Sequence, residues 1–329
     1  EYLQNSLSNT YVAERYGWPI GTWCVEHITN FRSVFDIEVR PLAASFDGDL
    51  PLWNVSSATD MGRMFYGASK FTGDRSLWDV SRVTAMDAMF QEASAFQGNL
   101  AWDVSRVTTM EFMFEGARSF DDSSLSFWNV SKVSSMRSMF QDASAFDLDL
   151  PWDVSRVTNM HSMFYAATEF KGDSLSAWDV SSVQDMWSMV RNTKFYGDIS
   201  AWDVSNLRNF DWMFASCTNF TSDLSSWRTP SATNMWGVFS GASSFNSDLS
   251  SWDVSGVCCM GQMFEGATSF NGNVSTWDVS YVLQQRLSSM FDGASAFKQD
   301  LCSWGALLTR TASTGGANDM FSGTNCEIK

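Results

Sequence analysis

Carboxylates that return at one fixed place in a repeated pattern are the residues of this chain best suited to chemistry. Asp79, Asp103, Asp153, Asp179, Asp203, Asp253 and Asp278 each directly follow a tryptophan, with Asn54, Asn129 and Arg228 in that place elsewhere. A second row holds Asp49, Asp74, Asp149, Asp173, Asp198, Asp223, Asp248 and Asp300. Two roles fit such rows. Hard cations take carboxylate oxygens, so a stacked row could form a Ca²⁺ ladder. Alternatively, each side chain accepts local backbone N–H bonds in an Asx-turn, which Asn can do equally well. Asn54 and Asn129 favour the turn. No metal and no other cofactor is therefore expected, with the calcium ladder as the alternative.

Other reactive groups are sparse. His27 and His161 lie far apart, and His161 follows Met160 at a variable place where an exposed side chain is expected. There is no nucleophile elbow, P-loop, paired-glycine fingerprint or C-x-x-C pair. Catalysis needs an irregular constellation of nucleophile, base and oxyanion donors, whereas this chain repeats one unit. The expectation is a protein that is not an enzyme, with no catalytic residues. Sequons at Asn54, Asn129, Asn219 and Asn273 are candidate glycan acceptors in a secreted eukaryotic protein, although the W-N-V-S variant alone creates two of them.

Six cysteines allow fifteen full pairings. Cys302 and Cys326 bracket the last and least regular coil, where a disulfide would tie down an otherwise fraying end. Cys217 takes a place held by Ala93, Ala117 and Ala143 in other coils, so it is expected as a buried thiol. Cys258 replaces the usual Thr. With the adjacent Cys259 it could be free, vicinally bonded or paired elsewhere, and Cys24 has no assigned partner.

The elements that carry these residues follow from one pattern, W-D-V-S-x-V-T-x-M-x-x-M-F-x-G-A-S-x-F. Its first Trp recurs at Trp53, Trp78, Trp102, Trp128, Trp152, Trp178, Trp202, Trp227, Trp252, Trp277 and Trp304, in steps of 24 to 27 residues. Self-similarity at such a period marks a stacked repeat. Counting Trp as position 1, alternation across W-D-V predicts a very short parallel strand. The spacing of three through positions 6, 9 and 12 predicts a 3₁₀ or short helical return, with Ser at 4 or Thr at 7 capping its start. The fold class is an α/β repeat solenoid of about 12 coils, forming a rod on the order of 60 Å long at roughly 4.8 Å per coil. Length differences in the first half fall between the Phe at position 19 and the next Trp, which marks an exposed loop edge.

The divisions expected are an N-terminal arm or cap at 1–22, a degenerate capping coil at 23–52, ten stacked repeats at 53–301 and a C-terminal capping coil at 302–329. The degenerate coil places Val25, Ile28, Phe31, Val34 and Phe35 in apolar positions. In the array, the coil from Trp178 departs most, with Val190 where Phe is normal.

Composition narrows the partners. The chain of 329 residues is 44% hydrophobic, with 26 Phe, 18 Met and 16 Trp, enough for a continuous core. A formal charge of -16 and no Lys/Arg cluster exclude nucleic acid and anionic membranes as partners. No run of 18 apolar residues is present, so no membrane span is expected. The first residue is Glu1 rather than Met, which fits either removal of a leader or a sequence cut from a longer chain.

The block at 244–267, S-F-N-S-D-L-S-S-W-D-V-S-G-V-C-C-M-G-Q-M-F-E-G-A, resembles the BspA-like leucine-rich-repeat family. More closely it resembles the branch described as mycoplasma surface-protein repeats of unknown function, also abundant in algae and marine microbes. The resemblance spans about residues 23–326. It implies a leucine-rich-repeat-like solenoid, secreted or on the cell surface, used in adhesion or in contact with a protein or glycan surface, and it implies no catalytic residues. The alternative is a structural subunit that assembles with itself head to tail into an extracellular filament, through its N-terminal arm and open ends.

Overall fold

Every second amide on one wall of a coil leaves that coil, and this decides how the chain stacks. In the coil that starts at Trp102, Met110, Phe112, Phe114 and Gly116 donate their N–H groups to Ser135, Arg137, Met139 and Gln141 of the next coil, at 3.2, 2.8, 2.9 and 2.7 Å. The intervening amides close β-turns inside the coil, Met113 to Met110, Glu115 to Phe112 and Ala117 to Phe114. Such a chain of turns needs left-handed backbone at two places, and Phe112 (φ 59°) and Gly116 (φ 68°) provide it. Glycine meets this demand most easily at position 15, where Gly67, Gly116, Gly241 and Gly266 all have positive φ.

The computed structural model describes residues 20–48, 50, 52–282, 286–305 and 319–324. Of the expected arm at 1–22, residues 1–19 lie outside the described residues and Ile20–Thr22 form a 3₁₀ turn, while most of the C-terminal coil also lies outside them. The chain divides into two compact units, Glu1–Arg156 with Ala167–Glu169, and Val157–Ala166 with Phe170–Lys329. That division falls within the array of repeats.

Each unit is a stack of coils, a repeat solenoid. Isolated parallel bridges join successive coils at position 8: Asn30–Asp60–Ala85–Thr109–Ser135 in the first unit, and Asn159–Asp185–Asn209–Asn234–Cys259 in the second. Among the described residues these bridges and short 3₁₀ turns are the regular structure, which corrects the expected strand and helical return. Among the described residues the W-D-V segment forms no bridge, and bonds in and beside it close locally. Asp103 Oδ1 takes the Ser105 N–H, and Val104 O takes that of Val107. A helical return would keep every wall amide inside its own coil and remove these wall bonds between coils. Turns have the same three-residue period, so the apolar spacing alone did not separate the two. Thr at position 7 is a rung and not a cap: Thr84 Oγ1 donates to Thr59 O, and Thr59 Oγ1 to Thr29 O.

The core consists of aromatic columns. The Trp residues from Trp53 to Trp304 that open the coils are 0–6% exposed. In the first unit Phe35, Phe65, Phe90, Phe114 and Phe140 stack at 5.3–5.7 Å between coils. Each coil also pairs its two Phe rings, as Phe65 with Phe71 at 4.0 Å and Phe239 with Phe245 at 3.9 Å. Buried indoles place their N–H by reaching back toward the preceding coil, Trp102 to Arg75 O at 2.8 Å, Trp128 to Leu100 O at 2.8 Å and Trp227 to Ile199 O at 3.1 Å, while the buried Trp304 Nε1 has no partner among the described residues. In the second unit, Val190 supplies no ring. There Phe195 stands 6.2 Å from Phe214, while the buried Thr193 and Cys217 Sγ both bond to Val190 O. In the capping coil Val25, Phe31 and Phe35 are buried, but Ile28 is 42% exposed, contrary to its expected place in the core.

The loops before Trp absorb length differences, as expected. The two longer coils of the first half carry 3₁₀ turns there, Ser123–Phe127 and Leu175–Ala177. This edge is open to solvent, with Leu77 90% and Phe127 87% exposed. Among the described residues no helix is long and apolar enough to cross a membrane.

Candidate functional site

The Asp rows are built as turns. In the first row, Asp79, Asp103, Asp153, Asp179, Asp203, Asp253 and Asp278 each accept the N–H of the Ser two residues on, at 3.0–3.1 Å. Asn54 and Asn129 do the same for Ser56 and Ser131. Hydroxyl and backbone bonds from that Ser hold the Asp79, Asp103, Asp153, Asp203 and Asp278 carboxyls below their usual range. The second row repeats the device at Asp74, Asp198, Asp223, Asp248 and Asp300. A third row, which the sequence reading missed, lies at position 8, where Asn30, Asp60, Asn159, Asp185 and Asn209 each cap the amide two residues on. Among the described residues no group of three or more His, Cys, Asp or Glu side chains is arranged to hold a metal ion.

The remaining predicted residues scatter. Cys217 is a buried thiol, pushed up to about 12 by burial. Cys302 is exposed and its thiol is free, while Cys326, its expected partner, lies outside the described residues. The sequon residues Asn54, Asn129 and Asn219 are exposed, and Asn273 is half-buried. His27 is exposed beside Glu26. His161 is not an exposed side chain as expected: it is half-buried and stacks on Trp187 at 4.6 Å, with Nδ1 3.4 Å from Asp185.

His161 leads to the group that the sequence reading overlooked. Trp187, Trp212 and Trp236 fall outside the 24-to-27-residue ladder, at positions 10 and 11 on the turn wall of the second unit, and all are half-buried. Glycine makes room for two of them. A Cβ on Gly237 would sit 2.4 Å from the Trp212 ring, and one on Gly261 2.5 Å from that of Trp236. Polar planes surround the rings. The Arg191 guanidinium lies 4.6 Å from the Trp212 centroid, Asp211 Oδ1 accepts the Trp236 N–H at 2.6 Å, and Trp236 Nε1 donates to Gln262 Oε1 at 2.9 Å. Burial raises the Asp211 carboxyl above its usual range, against the bonds from Trp236 and Asn234. The signal available in the sequence was these tryptophans out of step with the repeat.

The same wall of the first unit is ionic. Arg32 joins two coils by bonding Asp60 at 2.9 Å and Asp87 at 2.5 and 3.0 Å. Arg63 bonds the buried Asp36 at 2.8 Å and Glu38 at 2.6 Å. Burial, then the carboxylates of Glu92 and Asp142, pushes Glu115 up to about 7.

The repeat matches the family described as mycoplasma protein of unknown function, DUF285, in six overlapping stretches: 5–123, 76–173, 98–196, 149–250, 188–304 and 223–326. The chain belongs to this family. A search of curated proteins finds no match. Among solved structures, the complex of TLR13 with ssRNA13 is similar at 12% identity and a TM-score of 0.24, over 83% of this chain and 38% of that one. The plant peptide hormone receptor RGFR1, solved with RGF2, is similar at 8% identity and a TM-score of 0.19, over 74% of this chain and 52% of that one. The DUF285 chain thus spans about two fifths to half the length of these chains.

Proposed function

We propose that this DUF285 chain is a non-enzymatic contact scaffold, secreted or displayed at a cell surface, and that the turn wall of its second unit binds neutral glycans. The observation that carries the reading is the cluster of half-buried Trp187, Trp212 and Trp236 among His161, Asp211 and Gln262. Binding sites combine flat apolar surface with a few placed polar groups, and such rings fit the apolar face of a sugar while the carboxylate and amides fit its hydroxyls. A chain with a formal charge of -16 repels acidic glycans, which favours neutral ones. The turn-bonded Asp rows supply a stiff frame for that wall, and the kinship to BspA-like leucine-rich-repeat proteins expected from the motif fits an adhesive role.

An array of neutral and acidic glycans, probed with the whole chain and with Trp236→Ala, tests the reading. Binding confined to neutral glycans and lost in a Trp236→Ala variant of unchanged melting temperature supports it. An empty array, or binding that survives the substitution, refutes it, and capture of a protein by the same wall would replace the glycan with a protein partner.

A further inference from the structure

Adjacent side chains on extended backbone point to opposite faces. Cys258 and Cys259 do not follow that rule: their Sγ atoms lie 2.7 Å apart. This is closer than the ~3.5–4.0 Å at which unbonded heavy atoms rest, yet longer than the ~2.05 Å of a disulfide. Both residues are anchored to the preceding coil. The Cys258 N–H donates to Thr233 O at 3.0 Å, and Cys259 O accepts the Met235 N–H at 3.0 Å. The anchoring holds the two sulfurs together before any reaction, which raises their effective concentration. Cys258 is half-buried and Cys259 buried, both thiols are free, and Cys258 Sγ also lies 4.0 Å from Asn234 Oδ1.

We propose that Cys258 and Cys259 are a vicinal dithiol that hydroperoxides oxidise to a disulfide between neighbouring residues. The Cys258 thiolate, the more accessible of the two, attacks one peroxide oxygen. The O–O bond breaks, a sulfenic acid forms on Cys258, and water or an alcohol leaves. Cys259 sulfur then attacks Cys258 sulfur, forming S–S and breaking S–O. The departing hydroxide takes the Cys259 proton and leaves as water. Two thiols lose two electrons in total and one peroxide gains them. Burial, with Cys258 beside it, pushes the Cys259 thiol up to about 12, so Cys259 stays a thiol while Cys258 meets the peroxide. This proposal is independent of the glycan reading.

The test treats the folded whole chain with hydrogen peroxide, blocks remaining thiols with an alkylating reagent, and weighs the peptide that holds both cysteines. The expected peptide is lighter than its reduced form by about 2 Da, for two lost hydrogens, and takes up no reagent until reduced. In Cys259→Ser the resolving thiol is gone, so a sulfenic acid on Cys258 becomes trappable by a 1,3-dione. Alkylation of both residues after oxidation, linkage of either to another cysteine, or a sulfonic acid on Cys258 in the wild-type chain would overturn the proposal.

Discussion

The Trp128 indole N–H donates to the carbonyl of Leu100, 28 residues earlier and 2.8 Å away. This one bond couples the aromatic core to the backbone of the preceding coil, so the residue serves both as packing and as a rung. Phe keeps most of the packing and loses the rung. Trp128→Phe should therefore lower stability by about 0.5–1.5 kcal/mol, because the Leu100 carbonyl keeps the Trp102 N–H as its other donor, whereas Trp128→Ala should lower it by about 3–5 kcal/mol. Urea melts of the two variants check the order. Trp128→Phe as stable as the parent would mean that the N–H contributes nothing.

Because the Asp rows are turns, Asn should serve in them. Asp103→Asn should keep the melting temperature of the parent, and Asp103→Ala should lower it by about 2 °C through loss of the Ser105 contacts. Calcium should shift neither. A melting temperature that rises with Ca²⁺ and loses that response in Asp103→Asn would restore the ladder.

Glu115 gives a signed pH effect. Its folded pKa of about 7 stands above the ordinary 4.5, so the folded chain holds a proton that the unfolded chain releases. Stability from this residue is present below pH 4.5 and is lost as pH rises toward 7. Glu115→Gln stays neutral throughout. The variant should match the parent near pH 4.5 and melt above it at pH 8, and calorimetry at both values reads the difference.

Gly261 lies under the Trp236 ring, without the positive φ that Gly237 has. Its role is therefore space alone. Gly261→Ala should push the indole off the wall and weaken glycan binding about tenfold, with a smaller effect on melting temperature than Trp128→Ala. Titration of a bound glycan against both forms measures this.

Much of the fold was legible because the core is repetitive: Trp53, Phe65 and Met61 fall where the pattern placed them, all buried. The wall was misread for a physical reason. Turns and a 3₁₀ helix share a three-residue period, and only the direction of alternate amides, as at Met110 and Phe112, tells them apart. The contact face was legible only as an exception. Trp187 and Trp236 break the ladder, and the room made by Gly261 depends on a neighbour one coil away that no local pattern announces.

The central claim is that indoles join the coils, and exchange of indole N–H protons tests it most directly. In heteronuclear NMR spectra after transfer to D₂O, the Nε1–H signals of Trp102, Trp128, Trp152, Trp202, Trp227, Trp252 and Trp277 should persist long after those of the half-buried Trp187 and Trp212 have vanished. Loss of the first group as fast as the second would contradict the account.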